Sequence, residues 1–255
     1  MAIHPTAAQG YTANAGTFAK GRPDYPPQVA EWLAGDLGLG PGKVVLDLGS
    51  GTGKMLPNLV ATGAEVVAVE PVDAMRARLI DENPHVEAMA GSAEHIPLAD
   101  ASVDTVVCAQ SFHWFANLQA LAEIRRVLKR EGTLGLIWNV RDERVPWVSA
   151  LTAIIEPYGA EVPRYYRQDW RLLFPAHGFS PLVERLFPHQ HTGSPERVIV
   201  DRSLSISFIA SLPLARQDQI AAQIRALIAG TPELAGKAEV SYPYQTAAFS
   251  CHRMA

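Results

Sequence analysis

Cysteine is scarce in this chain, with Cys108 and Cys251 the only two. No Cys/His cluster has zinc spacing, so a metal is not expected. Cys108 lies in an apolar, strand-like run, which predicts a buried reduced thiol. Charge is also modest: charged residues make up 19% and the formal net charge is -4. A dedicated nucleic-acid binder needs clustered cations to neutralise phosphates, so that class is disfavoured. Long apolar runs are missing too, none approaching the roughly 18 residues of a membrane helix. Met1 to Lys20, rich in Ala, Thr and Gly, lacks the cationic start and apolar stretch of a signal peptide. The expectation is a cytoplasmic protein, monomer or homodimer, with no nucleic-acid or membrane partner. Neither an internal repeat nor a low-complexity tract is present.

What is present is a chain of 255 residues with 48% hydrophobic side chains, enough for one large core. Residues up to about Pro27 are polar and broken by Gly and Pro, as in an arm. Val29 to Leu37 reads as a short helix. From Lys43 the pattern alternates. Val44–Leu48 is a continuously apolar strand apart from Asp47, as in a parallel strand buried on both faces. Gly49–Gly53 turns the chain, and Met55–Ala61 is a helix closed by Gly63. Val66–Glu70 is a second strand that ends in an acid. Asp73–Ile80 is a helix with Asp73 as its N-cap. Val86–Met89 and Val103–Ala109 are strands. Leu118–Lys129 is an amphipathic helix stopped by Gly132, its last turn rich in cations that complement the dipole. Thr133–Val140 is a fifth strand. This rhythm predicts a doubly wound parallel α/β sheet, with ligands outside the carboxyl ends of its strands. Beyond Asn139 the rhythm breaks. Val148–Ile155, Asp169–His177, Ser203–Leu212 and Ala215–Ala229 read as helical, and Leu182–Phe187 and Val240–Cys251 as extended. The chain is read as an arm (1–30), an α/β core (31–141), and lid helices with the last two strands of the same sheet (142–255).

The loop Gly49-Ser50-Gly51-Thr52-Gly53 carries the chemistry. Glycines let the backbone turn tightly and approach a ligand closely. A phosphate-cradling P-loop needs Gly-x-x-x-x-Gly-Lys-Ser/Thr. Here Leu48 stands where the first glycine should, and Met55 follows Lys54, so that reading fails. The dinucleotide fingerprint Gly-x-Gly-x-x-Gly is weakened, because Gly53 comes one residue early and Lys54 follows it. A third reading fits better. Glu70, at the end of the next strand, is placed to accept hydrogen bonds from both hydroxyls of a ribose. The loop would then pack against the amino-acid part of the ligand, with no phosphate to hold.

Val45-Leu46-Asp47-Leu48-Gly49-Ser50-Gly51-Thr52-Gly53 resembles the first motif of the class I S-adenosylmethionine-dependent methyltransferases, type 11 group. Val69-Glu70-Pro71 resembles the second motif. Gly91-Ser92-Ala93-Glu94-His95-Ile96-Pro97-Leu98 with Ser102-Val103-Asp104 resembles the third, and Arg126–Lys129 with Glu131–Leu134 the signature that follows. Phe18–Pro26, Ala109–Phe115, Arg202–Ser207, Leu212-Pro213 and Tyr242–Thr246 resemble the trans-aconitate-type small-molecule subgroup. The resemblance implies a Rossmann-like methyltransferase fold: a seven-stranded, mostly parallel sheet with the last strand antiparallel and a helical lid. It also implies S-adenosylmethionine as cofactor, S-adenosylhomocysteine as product, and methyl transfer to a small-molecule acceptor. The acceptor atom, whether of a carboxylate, hydroxyl, amine or thiol, does not carry over.

By that resemblance the cofactor-binding positions are Phe18, Arg22, Asp47, Gly49, Ser50, Gly51, Gly53, Glu70, Pro71, Ser92, Ala93, Glu94, Gln110 and Ser111. Ala93 and Glu94 are assigned the adenine, and Arg22 the cofactor carboxylate or else a place on the surface. His113 follows the fourth strand at the reacting edge. It is either a general base, since imidazole titrates near neutral pH, or a residue that orients substrate or cofactor. Tyr25, Trp114, Trp138 and Tyr166 are candidates for the substrate pocket. Phe112 and Trp114 differ by two positions, so one is expected in the core and one in the pocket. His189 and His191 find no third metal ligand. Two other readings stay open, a non-catalytic S-adenosylmethionine binder and a nicotinamide-dependent oxidoreductase. No Asn/Asp-Pro-Pro-Tyr motif of amino-methylating enzymes is present.

Overall fold

The computed structural model describes residues 22–159 and 162–254. Its strands form one seven-stranded sheet in the order β3-β2-β1-β4-β5-β7-β6. β1 (Val44–Leu48) lies between β2 (Glu65–Val69) and β4 (Val103–Ala109) and runs parallel to both. β3 (Glu87–Met89) and β5 (Leu128–Arg141) extend the parallel set on either side. β7 (Val240–His252) is antiparallel to β5 and to β6 (Val183–Gly193). The last strand is therefore the antiparallel one, and the architecture is the doubly wound, Rossmann-like sheet that the sequence predicts. Pro188 is accommodated in β6 because that strand is at the sheet edge.

Strand periodicity sorts the core onto two faces. Leu46 and Leu48 of β1 join Leu121 and Ile124 of α4 (Leu118–Val127) on one face. Val45 joins Leu33 of α1 (Val29–Gly35), Leu56 of α2 (Leu56–Val60) and Leu79 of α3 (Asp73–Glu82) on the other. A third cluster lies beside β7. There Trp147, Leu151 and Ile155 of α5 (Pro146–Ile155) pack with Ile220 and Ile224 of a long C-terminal helix, over Tyr242 and Tyr244. That helix is α8 (Leu214–Gly230). It is preceded by a π-helical turn (Glu196–Asp201) and two short helices, α6 (Arg202–Leu204) and α7 (Ser207–Ala210).

Several boundaries differ from expectation. Helix α4 stops at Val127, and Leu128 and Lys129 already belong to β5. Leu128 is fully buried and pairs with Val103, while Lys129 reaches Asp104 at 2.7 Å, so tertiary contacts capture these residues from the helix. Gly132 is not a helix stop. A Cβ there would lie 2.9 Å from the carbonyl oxygens of Asp104 and Lys129, so glycine permits a close backbone approach. Asp73 is the first helical residue rather than the cap, and its carboxylate pairs with Arg76 at 2.6 Å. The predicted helix over 203–212 is broken at Ser205 and Ile206. Ser203 and Ser205 donate their hydroxyls to the carbonyls of Ile199 and Arg202, the local competition that disfavours continuous helix. Of 169–177 only Asp169–Leu173 is helical, as a 3₁₀ segment.

Candidate active site

β1, β2, β4 and β5 present their carboxyl ends on one edge of the sheet, where ligands of open α/β folds sit. The glycine loop follows β1. Gly49 and Gly51 take φ values of +72° and +59°, in the left-handed region that favours glycine. A Cβ on Gly49 would stand 2.8 Å from Cβ of Ser111, so glycine there lets the end of β4 close on the loop. The Ser111 hydroxyl completes the junction by donating to the Leu48 carbonyl at 2.7 Å.

Glu70, one residue beyond β2, is buried. Its Oε2 accepts from the Gly51 N–H and its Oε1 from the Val72 N–H, both at 2.8 Å. The sequence reading gives Glu70 a ribose alone; the structure adds a brace for the loop. Each carboxylate oxygen keeps a further lone pair for a ligand hydroxyl. Burial pushes this carboxyl above its ordinary value, and the two backbone N–H groups oppose the shift. Asp47 is fully buried under the loop, and neither of its carboxylate oxygens has a hydrogen-bond partner. Burial pushes it up to about 7, with help from the Glu70 charge, while the Ser50 hydroxyl donates to its backbone carbonyl at 2.6 Å.

These groups adjoin a cavity of 330 Å³, within the range of about 300–1,000 Å³ usual for small-molecule sites. Gly49, Ser50, Gly51, Glu70, Pro71, Ser92, Ala93, Glu94, Gln110, Ser111 and Arg22 line it, as do Tyr25 and Trp114. Asp47 lies beneath the loop rather than in the wall, and Gly53 (φ +84°) turns the chain into α2. Phe18 lies outside the described residues. Glu94 is held by Asn117, whose Nδ2 donates to Oε1 at 2.9 Å while its Oδ1 caps α4 through the Ala120 N–H. The segment after Arg22 crosses the sheet edge. Asp24 pairs with Lys54 at 2.5 Å and its carbonyl accepts from Asn139 Nδ2 at 3.0 Å. Tyr25 is buried, and burial raises its phenol well above the ordinary value. Gln110 itself is held at φ +58°, a strained setting for a non-glycine residue at a ligand edge.

A neighbouring cavity of 100 Å³ shares Arg22, Gln110, Trp114, Asn139 and Arg202 with the first. His113, Trp138, Arg141, Arg164 and Tyr166 also line it. His113 sits on the 3₁₀ turn Phe112–Trp114, and the Trp138 indole N–H donates to its Nδ1 at 3.1 Å. With that lone pair engaged, the neutral ring carries its proton on Nε2. Burial, reinforced by the Arg22 charge, pulls the imidazole down to about 3, so it is neutral at physiological pH. Trp138 is almost fully buried against Trp170, with ring centroids 4.6 Å apart. Phe112 is fully buried in the same aromatic cluster, whereas Trp114 borders both cavities. The Tyr166 hydroxyl accepts the Arg141 backbone N–H at 2.8 Å. His189 and His191 belong to β6 and line neither cavity. Sequence reasoning missed Val72, Met75, Phe115 and Asn139 in the larger cavity, and Arg141, Arg164 and Arg202 in the smaller one. Val72 and Met75 follow the strand-end acid at helical spacing and could have been found. Arg202 opens a segment that resembles the small-molecule subgroup, though no role attached to it, whereas Arg141 and Arg164 stand in no local pattern.

Comparison with known proteins agrees with this geometry. Residues 46–136 match the model of a family described as a methyltransferase domain. An uncharacterised methyltransferase-like protein of Schizosaccharomyces pombe is 37% identical over 237 residues, 92% of each chain. An uncharacterised methyltransferase of Mycobacterium tuberculosis is 37% identical over 231 residues, 91% of this chain and 90% of that one. Among solved structures, a protein assigned as a type II methyltransferase from Anaeromyxobacter dehalogenans superposes with a TM-score of 0.63 at 21% identity. It covers 91% of this chain and 97% of its own, a likeness of fold. With relatives this similar over nearly its whole length, the chain belongs to the methyltransferase family. S-Adenosylmethionine is the cofactor of that family.

Proposed function

We propose that the chain transfers the methyl group of S-adenosylmethionine to a small-molecule acceptor seated in the 100 Å³ cavity. The observation that carries this reading is the Glu70 carboxylate. It lies in the wall of the larger cavity, holds the glycine loop at Gly51, and has lone pairs left for a ribose. The other residues fit the cofactor. Ser92, Ala93 and Glu94 would meet the adenine, with Val72 and Met75 as apolar walls. Arg22 would face the carboxylate of the amino-acid end. Asp47, buried beneath the loop and outside the cavity wall, would place a negative charge below the amino-acid end of the cofactor.

When bound, the cofactor supplies a sulfonium methyl group, which is already activated for displacement. What remains for the protein is orientation and exclusion of water, and orientation alone can contribute about 7–11 kcal/mol. Gln110 and Trp114 lie where the two cavities meet and would set the line between acceptor and methyl. His113 is an orienting donor through Nε2–H in this reading, because its Nδ1 lone pair is held by Trp138.

An acceptor screen tests the proposal. S-Adenosylhomocysteine release is measured with small carboxylic acids, phenols, amines and thiols. Acceptor-dependent release is the expected result. No release with any acceptor, from protein that binds S-adenosylhomocysteine, would favour a non-catalytic binder.

A further inference from the structure

We propose that Asn139 is a positioning residue, which pins residues 22–25 across the sheet edge and so sets Arg22 between the two cavities; this rests on the methyltransferase reading above. Asn139 belongs to β5 and lines both cavities. Its cross-strand partner on β7 is Thr246, which is fully buried. Both ends of the Asn139 carboxamide are engaged. A backbone carbonyl can only accept, so the end that faces the Asp24 carbonyl at 3.0 Å is Nδ2. Oδ1 then accepts the Thr246 hydroxyl at 2.6 Å. Thr246 thereby holds the amide in the one orientation that grips the crossing segment.

That segment borders the ligand. Arg22, Pro23 and Tyr25 line the larger cavity, and Arg22 lines the smaller one as well. The Arg22 charge also reaches His113, whose imidazole it helps to pull down. Tyr25 anchors one end of the segment, buried in the apolar cluster that holds Val29 and Leu33 of α1. Asn139 grips the next residue back, Asp24, two positions from Arg22. Asp24 also pairs with Lys54, but its carboxylate is 84% exposed, and an exposed pair adds little. The Asn139 amide is half-buried and oriented from behind by Thr246, so it is the stronger tie. Without it the chain would be free to swing about Tyr25, and Arg22 would leave the place where it faces the cofactor carboxylate. Asn139 acts on the cofactor in this way through Arg22 and not by a bond of its own.

The test is a double-mutant cycle, read by the affinity and the dissociation rate of S-adenosylhomocysteine. Asn139→Asp keeps the size of the side chain and an acceptor for Thr246, but sets an oxygen against the Asp24 carbonyl. It should weaken S-adenosylhomocysteine at least about fivefold, mostly through faster release. Arg22→Gln should weaken it by a similar or larger factor. The double variant should bind within roughly twofold of Arg22→Gln alone, because the two residues act as one unit. Thr246→Val, an isostere that frees the amide to turn, should show the same faster release and the same lack of additivity. If Asn139→Asp does not fold, the cycle built on Thr246→Val decides. Additive losses would overturn the proposal, since Asn139 would then meet the ligand directly. Wild-type affinity in the folded Asn139 and Thr246 variants, or in Arg22→Gln, would overturn it too. Failure of the wild-type protein to bind S-adenosylhomocysteine would instead bring down the methyltransferase reading, and this inference with it.

Discussion

At the residue scale, a carboxyl group sealed under a glycine loop couples protonation to both stability and binding. Asp47 is raised by burial to about 7 in the folded chain. In the unfolded chain it ionises near 4, so between about pH 4 and 7 only the unfolded state loses this proton. The ligand-free fold should therefore lose stability across that window, by an amount on the order of 4 kcal/mol at most, with no penalty below it. Asp47→Asn should flatten this slope in urea melts taken at successive pH values. It should also weaken S-adenosylhomocysteine, whose wild-type affinity should rise with pH towards 7 as the carboxylate forms. Gly49→Ala forces a left-handed Cβ to within 2.8 Å of Ser111 and should cost about 1–3 kcal/mol, read as a lowered melting temperature. The glycine loop and the strand-end acid were legible in the sequence because local spacing encodes them. The state of His113 was not, since it depends on Trp138, 25 positions away. The place of Arg141 and Arg202 in the site was equally hidden, because only the packing of the segments after β5 brings them to one cavity.

At the element scale, Arg126 shows how a helix holds a binding loop. From the last turn of α4 it donates to the carbonyls of Ile96 and Leu98 and pairs with Glu123 and Asp100. This ties down the segment that follows Ala93 and Glu94. The charge pattern alone suggested a cation complementing the helix dipole, a weaker role than the one observed. Arg126→Ala should cost about 1–3 kcal/mol of stability and weaken S-adenosylhomocysteine several-fold, measured by thermal melts and calorimetry. Leu151 of α5 is fully buried between α8 and β7. Leu151→Ala should cost about 2–5 kcal/mol, read by urea unfolding, through the cavity left behind. Strand order and helix alternation could be read from apolar rhythm. The end of α4 could not, because Leu128 is drawn into β5 by its pairing with Val103, a long-range contact that helical periodicity does not contain.

At the scale of the whole molecule, two adjoining cavities at the carboxyl edge of one sheet separate a nucleoside-sized site from a smaller, arginine-lined one. Among the described residues, no helix is long and apolar enough to cross a membrane. The division of labour follows from topology. The α/β half supplies the loop, Glu70 and the Ser92–Glu94 segment, and the segments after β5 supply Arg164 and Arg202. The central claim is that the larger cavity holds S-adenosylmethionine by way of Glu70. Its most direct test is a calorimetric titration of S-adenosylhomocysteine, and separately of NADH, into the wild-type protein and Glu70→Ala. The account predicts one-to-one binding of S-adenosylhomocysteine to the wild type, no heat with NADH, and a loss of at least about tenfold in affinity in the variant, as expected when a charge-assisted contact worth about 1.5–3 kcal/mol is removed. Binding of NADH in place of S-adenosylhomocysteine, or an affinity untouched by the loss of Glu70, would contradict it.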